Sequence, residues 1–161
     1  MKNIARANQR EREDLFLTTA RDIGLSEAMV EKDFWVCWVL DYLFHNSPWT
    51  DKLAFKGGTS LSKCFGLINR FSEDIDVVLD WRLLGYDTDY LWAERSKTQQ
   101  EKINKETITK TNEFLSNTLI PKLQSDFSSV LSDEFSLYVD DDLQTVCFSY
   151  PRYLMKKQLS T

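Results

Sequence analysis

The sequence predicts an α/β domain, on three observations. Residues 26–43 repeat apolar side chains at helical spacing, residues 53–80 read as strand, glycine turn, helix and strand, and residues 135–150 hold two short alternating runs across a polar turn. One domain over residues 1–161 is expected, with a helical part over 1–50 and a sheet core over 51–161, because a chain of this length is of single-domain size and can bury a core.

In chain order, residues 5–23 are polar with apolar positions at Leu15, Phe16, Leu17, Ala20 and Ile23, which predicts one or two turns of amphipathic helix ending before Gly24. Ser26 is a plausible N-cap, and Met29, Val30, Phe34, Trp35, Trp38, Val39, Tyr42 and Leu43 then recur at helical spacing. Asn46, Ser47 and Pro48 end that helix, since the residue before proline is disfavoured in helical geometry. Residues 53–56 predict a short strand, Gly57 and Gly58 a tight turn, and residues 60–69 a helix through Leu61, Cys64, Phe65 and Ile68. Ile75, Val77 and Leu79 alternate with Asp74, Asp76 and Asp80, predicting a strand with one buried face and both Asp74 and Asp76 on the other. Residues 96–116 predict a mostly solvated helix with Ile103, Ile108, Leu115 and Leu119 inside, kinked or ended at Pro121. Residues 135–139 and 145–150 predict two strands joined across Asp140 to Leu143.

Composition removes several function classes. Hydrophobic residues at 42% and charged residues at 28% give neither the low hydropathy of disorder nor the excess of a membrane protein. Phe34 to Leu40 is too short to cross a bilayer and the N-terminus has no apolar signal core, so a soluble, cytoplasmic protein without a membrane partner is expected. Three widely spaced cysteines and a single histidine, His45, argue against zinc sites and histidine triads. The net charge of −5 argues against a protein coated in basic surface, although residues 53–125 are balanced, with 10 basic and 10 acidic side chains.

Nucleotidyl transfer needs a grip on a triphosphate and a grip on Mg²⁺, because these reactions are catalysed chiefly by positioning and charge neutralisation. Gly57 and Gly58 allow backbone N–H groups to approach a phosphate, and Thr59 and Ser60 add hydroxyls at the start of the following helix. Asp74 and Asp76, two positions apart on a strand, suit hard divalent cations bound through oxygen. Either motif alone has a bland reading, as a connection or as a solvated strand face; their succession, with 15 residues between Gly58 and Asp74, favours one joint site.

Phe55-Lys56-Gly57-Gly58-Thr59-Ser60-Leu61-Ser62-Lys63-Cys64, followed by Arg70-Phe71-Ser72-Glu73-Asp74-Ile75-Asp76, resembles the AbiEii toxin family, a branch of the polymerase-β-like nucleotidyltransferases linked to phage abortive infection. Glu31-Lys32-Asp33-Phe34-Trp35-Val36 and the run Gln144-Thr145 through Tyr150-Pro151 resemble it as well. The resemblance implies a minimal nucleotidyltransferase core, a small mixed sheet flanked by helices. It also implies Mg²⁺- or Mn²⁺-dependent transfer of a nucleotide from an NTP to an RNA acceptor, the tRNA 3′ end in related toxins, and a cognate antitoxin acting at the system level. Asp74 and Asp76 would then be catalytic metal ligands, and Gly57, Gly58, Thr59, Ser60, Lys63 and Ser72 would serve the nucleotide. Lys63 reads equally as a phosphate contact or as a solvated helix lysine, and Arg70 and Ser72 could steady the nucleotide or the start of the strand.

The resemblance also sets up an expected departure. Polymerase-β-like enzymes use a third carboxylate on a later strand, expected beyond Tyr150-Pro151 and followed by further helices, whereas this sequence stops at Thr161. Either Asp140, Asp141 or Asp142 supplies it, against their favoured reading as a hairpin turn, or the chain is truncated and lacks a C-terminal helical region. An incomplete site is the expectation, and the alternative function is a fragment that binds nucleotide or a partner without turnover. A truncated chain would expose apolar surface, so a homo-oligomer is a further expectation. Phe34, Trp35, Trp38 and Phe44 read as core before partner face, His45 as a helix C-terminal cap, and Lys97, Lys102, Lys105 and Lys110, interleaved with Glu101, Glu106 and Glu113, as a solvated face before an RNA contact. A nucleotide-sugar enzyme with an Asp-x-Asp motif fits the Gly-Gly-Thr-Ser turn less well.

Overall fold

A computed structural model of the chain describes residues 1–67 and 74–152. They fall into two compact units, one built on Met1–Leu79 and the other on Asp80–Pro151. Arg70 and Ser72, the end of the 60–69 helix and the tail from Tyr153 lie outside the described residues.

The first unit opens with α1 (Lys2–Arg6), α2 (Gln9–Ile23) and α3 (Glu27–Asp41). The amphipathic stretch is thus two helices, divided at Ala7 and Asn8. The Asn8 side chain accepts from the Glu11 N–H at 3.0 Å while the Glu11 carboxylate accepts from the Asn8 N–H at 3.3 Å, a reciprocal cap that starts α2. Gly24 ends it in the left-handed region, at φ +69°. Ser26 caps α3 as predicted, its hydroxyl accepting from the Met29 N–H at 3.3 Å.

Phe16, Ala20 and Val30 are buried between α2 and α3, with Ile4 and Phe34 packed against them. Trp35 and Trp38 are only 1% and 4% exposed, so the aromatic helix face is core, as its preferred reading held. The Arg12 guanidinium is fully buried there; it donates to the Ala5 carbonyl at 2.7 Å and lies 5.8 Å from the Trp35 ring centroid. After α3 one π turn, Tyr42–Asn46, precedes Pro48, and Phe44 meets Phe55 with ring centroids 5.9 Å apart.

β1 (Leu53–Lys56), α4 (Gly57–Lys63) and β2 (Asp76–Leu79) follow, with β1 and β2 antiparallel in the register Leu53 with Leu79 through Lys56 with Asp76. Strand, glycines, helix and strand therefore occur in the predicted order. Three details differ. The glycines are the first residues of α4 and not a separate turn, α4 stops at Lys63, and Asp74 and Ile75 precede β2. The expected buried face of β2 is also only partly formed: Ile75 and Leu79 are half-buried, but Val77 between them is 36% exposed, and Val78 on the other face is 46% exposed. A two-stranded ribbon covered mainly by the short α4 buries little of either face, so alternation alone does not produce a fully buried one.

The second unit carries two 3₁₀ turns (Trp81–Leu84 and Thr88–Trp92), α5 (Lys97–Phe114), a π turn (Leu115–Leu119), α6 (Ile120–Ser128) and the antiparallel hairpin of β3 (Ser136–Val139) and β4 (Val146–Ser149). Ser96 caps α5 in a capping box with Gln99. Pro121 neither ends nor breaks the helical run. It sits in the first turn of α6, where its missing N–H is no loss, because the π turn has already shifted the hydrogen-bond register. Phe127 is 1% exposed and packs on Phe148 at 5.3 Å and Phe135 at 6.2 Å, holding the hairpin to α6. Tyr86 stacks on Tyr90, with the Lys110 ammonium 4.0 Å from the Tyr86 ring and the Thr107 hydroxyl 3.2 Å from the Tyr86 hydroxyl.

The α/β class is as predicted, and among the described residues the strands form two antiparallel two-stranded sheets. No helix among the described residues is long and apolar enough to cross a membrane.

Candidate active site

The site grows from the junction of β1, α4 and β2. Gly57 has φ +77°, a left-handed conformation that only glycine adopts without strain. Its missing side chain has a second consequence. A Cβ there would overlap the Asp76 carboxylate oxygen Oδ2 and stand 3.0 Å from its Cγ, so the Asp76 carboxylate lies directly against the glycine backbone. The strand register supports this approach, since Lys56, next to Gly57, is the cross-strand partner of Asp76.

Thr59 and Ser60 are buried at 1% and 6% exposure, and both hydroxyls are engaged locally. The Thr59 hydroxyl donates to the main-chain carbonyl of Asp74 at 2.7 Å, and the Ser60 hydroxyl donates to that of Gly57 at 2.9 Å. Gly57, Thr59, Ser60, Asp74 and Asp76 are thereby brought into one small region, with Gly58 between them in sequence. The carboxylates of Asp74 and Asp76 belong to exposed residues. Two exposed hard-oxygen donors fit a Mg²⁺ ion, which prefers one or two carboxylates plus waters and substrate phosphates to a full protein cage. Among the described residues no group of three His, Cys, Asp or Glu side chains is gathered for a metal.

Lys63 stands apart from this cluster, at the far end of α4, where its ammonium pairs with the Asp33 carboxylate on α3. The other Asp33 oxygen faces the Cys37 thiol at 3.9 Å. Burial pushes the Cys37 thiol pKa up, Lys63 opposes that shift and Asp33 adds to it. The role of Asp33 was not visible in the sequence, because its partner lies 30 positions away.

Asp140, Asp141 and Asp142 form the β3–β4 turn of the second unit. The Asp142 carboxylate accepts from the Thr145 hydroxyl at 2.5 Å and from the Gln144 and Thr145 N–H groups, both at 2.8 Å. These bonds hold its pKa below the ordinary 3.8, the Thr145 hydroxyl contributing most. This is how a carboxylate closes a hairpin turn, in line with the favoured reading of those residues. His45 accordingly sits in the last turn after α3, with Nδ1 3.2 Å from Asp41 Oδ1. Lys110 pairs with Glu106 at 3.1 Å along a largely solvated α5 face.

A family model described as nucleotidyl transferase AbiEii toxin, type IV TA system, matches residues 38–155. The chain belongs to the AbiEii family. The matched span contains both the Gly57–Ser60 turn and the Asp74–Asp76 pair, so the region that the geometry draws together is the region the AbiEii match covers. The helices α1 and α2 and Asp33 precede it. The chain matches no curated protein and no solved structure at a significant level. As an AbiEii protein it is of the nucleotidyltransferase toxin type found in type IV toxin–antitoxin systems, which pairs it with an antitoxin at the system level.

Proposed function

We propose that this AbiEii chain transfers a nucleotide from an NTP to an RNA acceptor, the tRNA 3′ end being the favoured one, in a Mg²⁺- or Mn²⁺-dependent reaction in the cytoplasm. The observation that carries the reading is the seating of the Asp76 carboxylate on Gly57, which unites a glycine phosphate-binding turn with a carboxylate pair. In this reading Asp74 and Asp76 hold the metal, and the backbone N–H groups of Gly57, Gly58 and Thr59 face the triphosphate, with Ser60 following in the same turn. A bound divalent cation would supply neutralisation of phosphate charge in the transition state. The acceptor hydroxyl then gives up its proton to solvent and its oxygen bonds to the α-phosphorus as the bond to pyrophosphate breaks. Lys63 could serve the nucleotide only by leaving Asp33, and Ser72 is assigned to the nucleotide from the sequence alone.

The test is incubation of the protein with tRNA, Mg²⁺ and each labelled NTP in turn. Labelled tRNA is expected with one of them, and Asp76→Ala is expected to abolish it; labelling that survives that substitution refutes the assignment. The alternative outcome is nucleotide binding without turnover. Calorimetric binding of an NTP with Mg²⁺, without labelled product, would select it.

A further inference from the structure

Asp76 and Asp74 are held in place by different means. Asp76 is the first residue of β2 and lies opposite Lys56 in the ladder, so strand pairing fixes its backbone. Asp74 comes two positions earlier, outside the ladder. Its carbonyl instead accepts the 2.7 Å hydrogen bond of the Thr59 hydroxyl, from a side chain that is 1% exposed. A buried hydroxyl left without its partner is costly, and a β-branched side chain has few other rotamers in a helix, so this bond ties Asp74 firmly to α4. Ser60 meanwhile bonds the Gly57 carbonyl within α4, closing the first turn of the helix at the residue on which Asp76 rests.

We infer that Thr59 is a positioning residue that sets where Asp74 stands relative to Asp76, and through that spacing the affinity of the carboxylate pair for a divalent cation. The inference rests on the reading in which those two aspartates hold the metal. Thr59 acts through the Asp74 backbone, with no contact to the metal or the reacting atoms. The hydroxyl is the operative group, and a methyl in its place leaves the Asp74 carbonyl free to drift.

Equilibrium titration with Mn²⁺ alone, the free ion counted by its electron paramagnetic resonance signal, tests this on the full chain without relying on turnover. Thr59→Val is expected to weaken Mn²⁺ binding about five- to tenfold, the equivalent of one lost hydrogen bond. Thr59→Ser is expected to restore it to within about twofold by keeping the oxygen. Thr59→Ala serves as the second hydroxyl-free variant should valine not fold, since Ser and Ala differ at this position by the oxygen alone. Wild-type affinity in both Thr59→Val and Thr59→Ala overturns the positioning role, even if their thermal midpoints fall, because a purely structural threonine would lower stability without touching metal affinity. Absence of Mn²⁺ binding in the wild type, or binding that persists in Asp76→Ala, overturns the metal-site reading itself.

Discussion

Gly57→Ala separates backbone strain from site geometry. The new residue would have to adopt φ +77°, which costs an L-residue about 1–2 kcal/mol. Reduced freedom of the unfolded chain returns about 0.4–1 kcal/mol, leaving a net loss of about 1 kcal/mol, or about 2–4 °C in Tm for a chain of this size. The added methyl would also overlap Asp76 Oδ2. That oxygen is the far end of an exposed side chain, so the carboxylate can swing aside at little cost to the fold, but it must move by about 1 Å to reach ordinary contact distance. Where Asp76 ligates the metal as proposed, misplacing it by that much is expected to lower turnover by about 100-fold. Gly85→Ala is the matched control, because Gly85 has the same φ of +77° and a Cβ there meets nothing within 4 Å. Thermal melts with nucleotide-transfer rates on tRNA provide the assay. Both variants are expected to lose similar stability, and Gly57→Ala alone to lose turnover. Turnover in Gly57→Ala within a few-fold of that in Gly85→Ala would refute the argument that Asp76 rests on this glycine.

The Lys63–Asp33 pair joins half-exposed side chains, so a double-mutant cycle of Lys63→Met and Asp33→Asn is expected to show a coupling below about 1 kcal/mol that shrinks in about 1 M salt. A Lys63→Met enzyme that loses turnover while Asp33→Asn keeps it would show that Lys63 serves the nucleotide instead. Cys37 is half-buried with a raised pKa and Cys64 is exposed, so iodoacetamide with mass-spectrometric mapping is expected to modify Cys64 well before Cys37; the reverse order would contradict the burial of Cys37. Asp142 has a folded pKa below its ordinary 3.8, so its contribution to the hairpin is fully present above that value and is lost as pH falls through the lower folded value. NMR of the β3–β4 turn is expected to show acid loosening below about pH 4 in the wild type and none in Asp142→Ala, whose turn should be loose at every pH.

Much of the local structure was legible because it depends on neighbours in sequence. Ser26 and Gly24 marked the boundary of two helices through capping and left-handed geometry, and Thr145 and Asp142 lie close enough for the hairpin turn to be read from its polar residues. The Asn8–Glu11 capping box was equally local and could have divided the first helix in two. The π turns at Tyr42–Asn46 and Leu115–Leu119 carry no comparable signature, since neither contains a residue whose chemistry demands the wider turn. At the candidate site the glycines and aspartates announced themselves by type and spacing. How they meet did not, because the approach of Asp76 to Gly57, the bond from Thr59 to Asp74 and the pairing of Lys63 with Asp33 join residues 15 to 30 positions apart.

Those three contacts share α4, and its length explains why they matter together. A helix of seven residues with two glycines at its start has little stability of its own, because nucleation is costly and so few residues repay it. Its orientation is therefore set by what it meets: Gly57 the carboxylate of Asp76, Thr59 the Asp74 carbonyl just ahead of β2, Lys63 the carboxylate of Asp33 on α3. Loosening one of these lets the helix tilt and weakens the others, so substitutions at Gly57, Thr59 and Lys63 should combine non-additively. The same dependence gives Asp33, outside the carboxylate cluster, a route to the site: its hold on Lys63 steadies the helix that carries Gly57 and Thr59, and through them both aspartates.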